Sequence, residues 1–472
     1  MSTTVALDKV AEGAGYLRAS RLDLLSGPLD VFAKPITHDE IERRVQGTRH
    51  PQTPVTNKGP YTFILPPEGD SFLDMSRIKL FGEIRIMDGD GHIAGAEDSV
   101  ALVNMIGGAL METITVNIDN FPINSSCSTD MPYKALIPTI LSYGSDAAKT
   151  HLRCQGFEMD KPNRFENYNV TEVAAQGDKA AIPVNNGFVT RHKWTMFSKD
   201  FQFCCPLPVD FLRTDRLLVP GRELKLQMTR SSNEFLLLSN ATNKNYRVGI
   251  KDLFLMYERV FLKPRVFETF MKTWTVGGVA LYPSNQTTIL RIPLPQNTTT
   301  FNIPYVFQGT LPQHIMLAFV DSDALHGSMK KNPFFFHHHF VNYIDLKING
   351  MSVPVDPYRP SFTANTTTTP QIPMKYMREY DALMDNVGIF RADKGCQITF
   401  ESFEGGCFIL PYDLTPDRCN QYHHHAEKTG LIQLQLGFQK NLTTAVTLLV
   451  IMSHQQVVGL LKDKMQPIRF VF

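Results

Sequence analysis

The sequence of 472 residues has no surplus of charge of either sign, with 47 Lys and Arg against 46 Asp and Glu. A protein that packages nucleic acid needs excess cations to displace the counterions of the phosphates. The balance excludes that class, and we predict no sequence-specific nucleic-acid binding. No uninterrupted apolar run approaches the roughly 20 residues of a membrane-spanning helix, and residues 1–10 lack the apolar core of a secretory signal. We therefore expect an intracellular protein without a membrane span.

Cysteine is scarce, with 7 residues in the whole chain. An odd count without a secretory signal predicts free thiols in a reducing compartment and argues against a disulfide framework. The adjacent Cys204 and Cys205 lie in an apolar stretch, so we expect them to be buried and unreactive.

Catalytic motifs are also missing. The sequence has no G-x-S-x-G elbow, no phosphate-binding P-loop and no H-E-x-x-H helix. We therefore predict neither an enzyme nor a cofactor. A glycosidase-like pair of carboxylates leaves no spacing signal in a sequence, so that alternative stays open at this point.

Aromatic residues and proline are plentiful, with 32 Phe and 30 Pro, which is typical of many short strands joined by tight turns. From residue 61 onward, apolar and polar residues alternate. In the clearest example, one face of the segment 431–438 carries Ile432, Leu434, Leu436 and Phe438. A period of two predicts half-buried strands, and such segments recur in both halves of the sequence. The fold class is therefore predicted to be all-β.

Residues 1–60 differ from the rest because they are polar and repeatedly interrupted by Gly and Pro. We interpret them as an extended N-terminal arm that becomes ordered against a partner, with Leu22, Phe32 and Ile41 as candidate assembly contacts. The run from Thr37 to Glu40 has the form of a capping box and predicts a short helix there. The alternative is a flexible tail without a partner.

Two β-sandwiches follow the arm, over residues 61–263 and 264–472, with a boundary at Lys263-Pro264-Arg265. Apolar residues at three- and four-residue spacing predict short helices over 132–144 and 374–386 that cover the ends of the sandwiches. Residues 144–194 are polar with few strand signals and form a long insertion in the first sandwich. In the run 334–336, two of the three Phe rings are expected in the core.

Two histidine triplets are the most conspicuous clusters: His337, His338, His339 and His423, His424, His425. Imidazole is the commonest metal ligand, but consecutive residues of a strand alternate faces, so one triplet would present at most two rings to a metal. No carboxylates with a suitable spacing lie nearby. We predict histidines at the surface or at a subunit interface and no metal site. At an interface, acid would bring several cations together and weaken it.

Residues 311–354 carry the motifs Leu311-Pro312, Val320-Asp321, Ala324, Gly327, Asn332-Pro333-Phe334 and His337. This block resembles the second-sandwich block of the double jelly-roll major capsid proteins of the polinton/Maverick and adintovirus group. Residues 405–438, with the D-L-T-P-D turn that begins at Asp413, resemble the final hairpin of the same family. Strand blocks in the first half and the style of the arm also match, although an extra stretch, residues 27–31, divides the arm motif.

The resemblance implies two tandem eight-stranded jelly-roll sandwiches, with short covering helices and an extended N-terminal arm. Three subunits would form a pseudo-hexameric capsomer that tiles an icosahedral shell around double-stranded DNA. The partners implied are further copies of the chain and a minor or penton capsid protein, in the virion capsid after assembly in the nucleus. Residues 144–194 would stand on the outer rim as a tower against symmetry mates, and the arm would lie at the inner face.

Two alternatives stay open. The chain could be a minor or vertex capsid subunit, although such subunits usually need one jelly roll and this sequence has two series of strands. It could also be a non-viral glycan-binding β-sandwich, because jelly rolls also serve as lectins. That second interpretation predicts a concave site with aromatic side chains.

Overall fold

The computed structural model describes residues 40–56, 59–90, 95, 98–124, 128–171, 183–241, 244–362, 375–389, 393–418, 425–462 and 464–470, the last of these ranges as backbone. The strands of the first half are β1 Ile41–Arg49, β2 Tyr61–Leu65, β3 Phe72–Asp88, β4 Val100–Leu102, β5 Met111–Ile118, β6 Phe121–Pro122, β7 Phe201–Pro206, β8 Leu224–Arg230, β9 Leu237–Ser239 and β10 Tyr246–Leu262. Those of the second half are β11 Ala280–Leu294, β12 Thr300–Thr310, β13 His314–Asp321, β14 Val341–Ile348, β15 Met351–Tyr358, β16 Ile409–Asp413, β17 Thr429–Phe438, β18 Val446–Leu461 and β19 Lys464–Phe470.

Each half is built on two antiparallel sheets of four strands, and in the second half β19 adds a fifth strand to one sheet by pairing with β18. In the first half the orders are β1-β10-β3-β7 and β2-β8-β5-β6, and in the second they are β11-β18-β13-β16 and β12-β17-β14-β15. With the short β4–β9 ribbon and β19 set aside, the eight strands of either half follow the same order, 1-8-3-6 in one sheet and 2-7-4-5 in the other. This is jelly-roll topology, so the predicted fold class of two tandem jelly rolls is confirmed.

Short helices fill the connections: α1 Ile106–Ala109, α2 Met131–Ser142, α3 Ser145–Lys149, α4 Asn186–Thr195, α5 Asn233–Leu236, α6 Pro264–Thr275, α7 Ser322–His326, α8 Met377–Asn386 and α9 Phe400–Gly405. Single 3₁₀ turns occur at His151–Gln155, Met196–Ser198 and Asp210–Arg213. The two helices expected from apolar spacing are confirmed as α2 and α8. Among the described residues, no helix is both long enough and apolar enough to cross a bilayer.

Alternation along the strands separates the core from the surface. The side chains of Ile432, Leu434, Leu436 and Phe438 are all buried, whereas Gln433 and Gln435 between them are partly exposed. The same two-residue period holds in β3, where Ile84 and Ile86 are buried. Removing these apolar faces from water is the main stabilising term of a sandwich, at about 25 cal/mol per Å².

Strand β1 corrects two predictions made for the arm. Residues Ile41–Arg49 pair antiparallel with β10 from Leu262 to Leu255, so the capping-box helix predicted near residue 38 does not extend into them. A one-turn helix is marginal in isolation, and the open edge of β10 offers a full ladder of hydrogen bonds instead. Arg44 adds contacts to Asp74 at 3.0 Å and Glu258 at 2.7 Å. The first jelly roll therefore begins at Ile41, inside the segment assigned to the arm.

The chain passes from one sandwich to the other through α6. Strand β10 ends at Leu262, α6 spans Pro264–Thr275 and β11 begins at Ala280. Phe72 of the first sandwich contacts the rings of Phe267 and Phe270 in α6, with centroid distances of 6.3 and 4.8 Å. These edge-on contacts hold the connecting helix against the first jelly roll.

The two sandwiches meet in a buried contact that we call the joint. On the side of the second jelly roll it consists of residues 331–336. The ring of Phe334 lies 5.8 Å from that of Tyr133 in α2 and 5.9 Å from that of Phe235 in α5. Phe334 and Phe336 are only 3% and 1% exposed, which confirms the prediction that two of the three Phe rings lie in the core.

The insertion of residues 144–194 forms the other side of the joint. Phe165 stacks on Phe335 at 5.3 Å, and the amide of Asn163 donates to the carbonyl of Gly405 at 2.7 Å. Asp160, Phe165 and Tyr168 are buried. The expectation that the insertion packs against symmetry mates as a tower is wrong for these residues, because they are enclosed within the chain. Residues 172–182 of the insertion lie outside the described residues.

A buried ion pair holds the insertion in place. Arg191 of α4 is fully buried and donates to the carboxylate of Asp160 at 2.7 Å, to the carbonyl of Leu102 at 2.9 Å and to that of Glu158 at 2.7 Å. The guanidinium therefore has hydrogen-bond acceptors on all sides, as a buried charge requires.

The cysteines that the structure describes carry free thiols, as the sequence predicted. Cys154, Cys204, Cys205, Cys396 and Cys407 are all free. Cys205 points into the core, and burial raises its pKa to about 12. Its neighbour Cys204 is only partly buried because adjacent residues of β7 face opposite ways. A thiol that stays protonated is a poor nucleophile. The burial expected for this pair is therefore confirmed for Cys205 but not for Cys204.

Replacing Phe334 or Phe336 by Ala should lower the free energy of unfolding by about 3–5 kcal/mol, since either change leaves a cavity in the joint. Urea denaturation followed by tryptophan fluorescence measures the loss. Phe197→Ala is the control, because Phe197 is 50% exposed and its removal should have little effect. Equal midpoints for all three variants would show that the Phe rings do not support the joint.

Asp160→Asn should lower the free energy of unfolding by about 3–5 kcal/mol, since it leaves the buried guanidinium of Arg191 without its counter-charge. The matched control is Asp356→Asn, which removes the partner of Arg378 at 2.8 Å in a solvent-exposed pair. Exposed pairs contribute little to stability, so this control should unfold at the same denaturant concentration as the parent. A similar loss in both variants would contradict the special role of Asp160.

Candidate functional site

The histidine triplet His337, His338 and His339 lies next to the joint, in the loop between Phe336 and β14. The ring of His337 is 4.4 Å from that of His338 and 4.7 Å from that of His339. His338 also stacks on Phe362 at 3.8 Å. The ring of His337 can contact both other imidazoles because the three residues lie in a loop, not in a strand.

The prediction of a position at the surface or at a subunit interface is wrong for His338, which is buried within the chain. His337 and His339 are partly exposed. The reason is local backbone geometry: His339 and Phe340 both have left-handed φ values, of 46° and 57°. The resulting turn directs consecutive side chains into the same aromatic cluster, where strand alternation does not apply.

Two of the imidazoles accept backbone hydrogen bonds. The amide of His339 donates to Nδ1 of His337 at 3.0 Å, and the amide of Phe340 donates to Nδ1 of His338 at 2.9 Å. A ring nitrogen that accepts a hydrogen bond carries no proton, so this geometry requires both rings to be neutral. The neutral rings thus hold the left-handed turn closed.

Burial also keeps these histidines neutral. It lowers the pKa of His337 from 6.5 to about 4, with Asp321 opposing and Lys331 adding to the shift. It lowers the pKa of His338 further, and the neighbouring His337 and His339 add to that decrease. The pKa of His339 is lowered by burial first and then by His337, and Asp321 offsets part of it. A buried imidazolium would lose hydration that only one nearby carboxylate could replace.

The charged groups around the triplet form a chain across the joint. Lys331 lies between Asp321, at 3.0 Å, and Glu166 of the insertion, at 3.3 Å. Nε2 of His339 is 3.8 Å from Asp321, beyond hydrogen-bond distance. Lys440 lies over the ring of Phe340 at 4.9 Å. The motif Asn332-Pro333-Phe334 was the sequence signal closest to this arrangement, but it did not reveal the contacts to the insertion.

Of the second triplet, the structure describes only His425. His423 and His424 fall outside the described residues. His425 has Nε2 3.3 Å from Asp417, and its amide donates to Gln455 at 3.0 Å. Among the described residues, no group of three or more His, Cys, Asp or Glu side chains is arranged to hold a metal ion. The described contacts of His425 are with Asp417 and Gln455, not with the first triplet.

Of the three candidate contact residues in the arm, the structure describes only Ile41. Leu22 and Phe32 lie outside the described residues. Ile41 lies at the start of β1 and is 42% exposed, and Val45 on the same strand is equally open. Almost the whole of β1 is solvent-exposed on both faces, although one edge is paired. Such a strand offers a surface for another chain.

Further large apolar side chains are exposed at the edges of the second jelly roll. Tyr305 lies on β12, and Met351 and Val355 lie on β15, with exposed fractions of 72%, 72% and 91%. Strands β12 and β15 are the two opposite edges of one sheet. The two-residue periodicity of the sequence predicts which face of a strand is buried. It does not predict which strands lie at the edges of a sheet, so it did not identify these positions.

A groove of about 490 Å³ opens at the end of the second jelly roll, between the β14–β15 turn and the segments that contain Leu414 and His425. Its lining includes Leu311, Met351 and Arg418 but no Phe, Tyr or Trp among the described residues.

No protein-family model matches the sequence. An uncharacterized protein of Caenorhabditis elegans is 21% identical over 400 residues, which cover 81% of this chain and 86% of that protein. This similarity extends through both jelly rolls but assigns no activity.

Several solved structures with the same fold come from viruses. A chain of the Sputnik virophage aligns with a TM-score of 0.61 and 12% identity, over 95% of this chain and 92% of that chain. The Faustovirus major capsid protein aligns with a TM-score of 0.54 and 10% identity, over 97% and 98% of the two chains. The mavirus major capsid protein aligns with a TM-score of 0.53 and 11% identity, over 96% of this chain and 94% of that chain. The chain thus has the double jelly-roll fold found in viral major capsid proteins.

Proposed function

We propose that this chain is a major capsid protein of a virus or virus-like element, and that it is part of the virion capsid. The observation that carries the proposal is the repetition of one strand order, 1-8-3-6 and 2-7-4-5, in both halves of the chain. The proposal is supported by solved major capsid proteins with this fold, which this chain matches over nearly their whole length. The role is structural, and we propose no catalytic site and no cofactor.

Three copies would form one capsomer. Two jelly rolls in each subunit give six in a trimer, which is the basis of a pseudo-hexameric tile for an icosahedral shell around double-stranded DNA. A net charge of +1 means that the subunits repel one another weakly. A minor or vertex subunit fits less well, because such a subunit does not need the second jelly roll.

Tyr305 on one side and Met351 with Val355 on the other are candidates for the contacts within the trimer. A ring of identical subunits needs two different surfaces on each copy, because its contacts are heterologous. Edge strands β12 and β15 supply such a pair on opposite sides of one sheet. Exposed Tyr and Met side chains are enriched in the centres of protein interfaces.

Residues 1–39, which include Leu22 and Phe32, would bind a neighbouring capsomer or a minor or penton capsid protein at the inner face. Ile41 at the start of β1 would then be the point where the arm leaves the sandwich. Motifs such as Asn332-Pro333-Phe334 favour the polinton/Maverick and adintovirus group, and assembly in the nucleus is inferred from that resemblance.

Size-exclusion chromatography with light scattering at neutral pH should give a mass of about 160 kDa, for three chains of 53.4 kDa each, or larger closed particles. Tyr305→Glu should shift the protein towards monomer, since it places a charge in an apolar contact. Phe197→Glu is the matched control, since Phe197 is also an exposed aromatic but lies in the first jelly roll. A parent protein that stays monomeric at all concentrations would contradict the capsomer.

Deleting residues 1–39 should leave the trimer and its thermal unfolding unchanged but prevent closed shells, as judged by electron microscopy. Deleting residues 1–49 removes β1 as well and should also lower the unfolding temperature, because β10 loses its ladder partner. Closed shells from the shorter deletion would show that the arm does not connect capsomers.

A further inference from the structure

We propose that protonation of His337, His338 and His339 opens the loop 337–340 and thereby loosens the joint between the two jelly rolls in mildly acidic solution. The proposal concerns the single chain and does not depend on its assembly into a capsid. It follows from three features of the triplet: the hydrogen bonds that its rings accept, the surroundings in which they lie, and their contact with the joint.

Protonation is incompatible with the closed loop. Nδ1 of His337 and Nδ1 of His338 each accept a backbone amide, at 3.0 and 2.9 Å. A proton on either nitrogen would turn the acceptor into a donor that faces another donor. The turn would lose the two bonds that hold His339 and Phe340 in left-handed conformations, which non-glycine residues rarely adopt.

The surroundings supply little compensation for added positive charge. His338 is enclosed by the rings of Phe340, Phe362 and Phe408. On the other side, Asp321 of β13 faces His339 but is already paired with Lys331.

The other charged groups near the loop do not change this balance. Glu166 of the insertion is paired with the same lysine, Lys331, and Lys440 brings a further positive charge over Phe340. Burial raises the pKa of Glu166, so acid also removes this negative charge. Three imidazolium ions would therefore meet more positive than negative charge.

The loop is connected to the joint by ring contacts and backbone bonds. His337 packs on Phe335 at 5.3 Å, and Phe335 stacks on Phe165 of the insertion. The amide of Phe336 donates to the carbonyl of Gly406, and Phe408 donates back to the carbonyl of Phe336, each at 2.9 Å. Once the histidines leave the cluster, Phe335 loses its contact with the ring of His337, on which it packs while it stacks on Phe165.

The direction of the pH effect follows from the depressed pKa values. In the open loop the imidazoles have their ordinary pKa near 6.5, and in the closed loop His337 has a pKa of about 4. The open form thus binds more protons, so opening becomes easier as the pH falls below 6.5. For His337 this difference raises the opening equilibrium constant by about 30-fold at pH 5.0, whereas at pH 7.4 the effect is close to none.

Hydrogen exchange with mass spectrometry, corrected for the intrinsic rate at each pH, tests the proposal on the full-length protein. Peptides that cover residues 332–340 should exchange at least 30-fold faster at pH 5.0 than at pH 7.4, while peptides from the core strand β18 should not change. Equal corrected rates for the loop at the two pH values would overturn the proposal.

The double variant His337→Asn, His338→Asn removes two of the three titrating rings but keeps an oxygen where each Nδ1 accepts the backbone amide. It should lose most of the pH dependence of exchange in residues 332–340. His50→Asn is the control, since His50 is exposed, and it should behave as the parent. Full pH dependence in the double variant would contradict the assignment to these rings.

A second measurement on the parent protein covers the case in which the double variant does not fold. Nuclear magnetic resonance of carbon-13-labelled histidine should show three imidazoles that stay neutral in the closed state between pH 7.5 and 5.5. If His337, His338 and His339 titrate near pH 6.5 without any change in exchange, the proposal is wrong.

Discussion

The burial of Asp160 is the constraint on which the relation between the two jelly rolls depends. Its carboxylate accepts hydrogen bonds from Arg191 at 2.7 Å, Asn185 at 2.9 Å and Asn332 at 3.1 Å. The first two donors belong to the insertion of the first jelly roll and the third to the second jelly roll. A carboxylate so far from water needs all three, because each missing bond exposes an uncompensated charge to a low dielectric. One side chain thereby fixes the insertion and the joint together.

The sequence allowed the strands to be predicted but not their arrangement in space. Alternation identified the buried face of residues 431–438 because a two-residue period is a local property. The pairing of sequence-distant strands such as β1 and β10 is not local, and it came from the resemblance to a family. Strand β1 itself was missed because its residues are exposed on both faces and so carry no alternation of burial.

The candidate site was harder to predict than the fold. The reasoning about His337, His338 and His339 assumed a strand, whereas the left-handed turn at His339 and Phe340 brings all three rings together. Lys331 pairs with Glu166, which is 165 residues away, and with Asp321 at the end of β13. No rule based on spacing in the sequence predicts such pairs. Two rings of the aromatic run 334–336 were correctly placed in the core, because large apolar side chains are usually buried.

The strand order has a consequence for how the chain is made. In both halves the first strand lies beside the last, so Arg44 contacts Glu258 across 214 residues. During synthesis the first sheet cannot be completed until residue 262 has left the ribosome, and each half then closes as a separate folding unit. Until residues 331–336 follow, Tyr133 and Phe165 of the finished first half have no cover. A nascent chain therefore carries an exposed aromatic surface for the time needed to synthesise about 70 more residues, at roughly 5–20 residues per second.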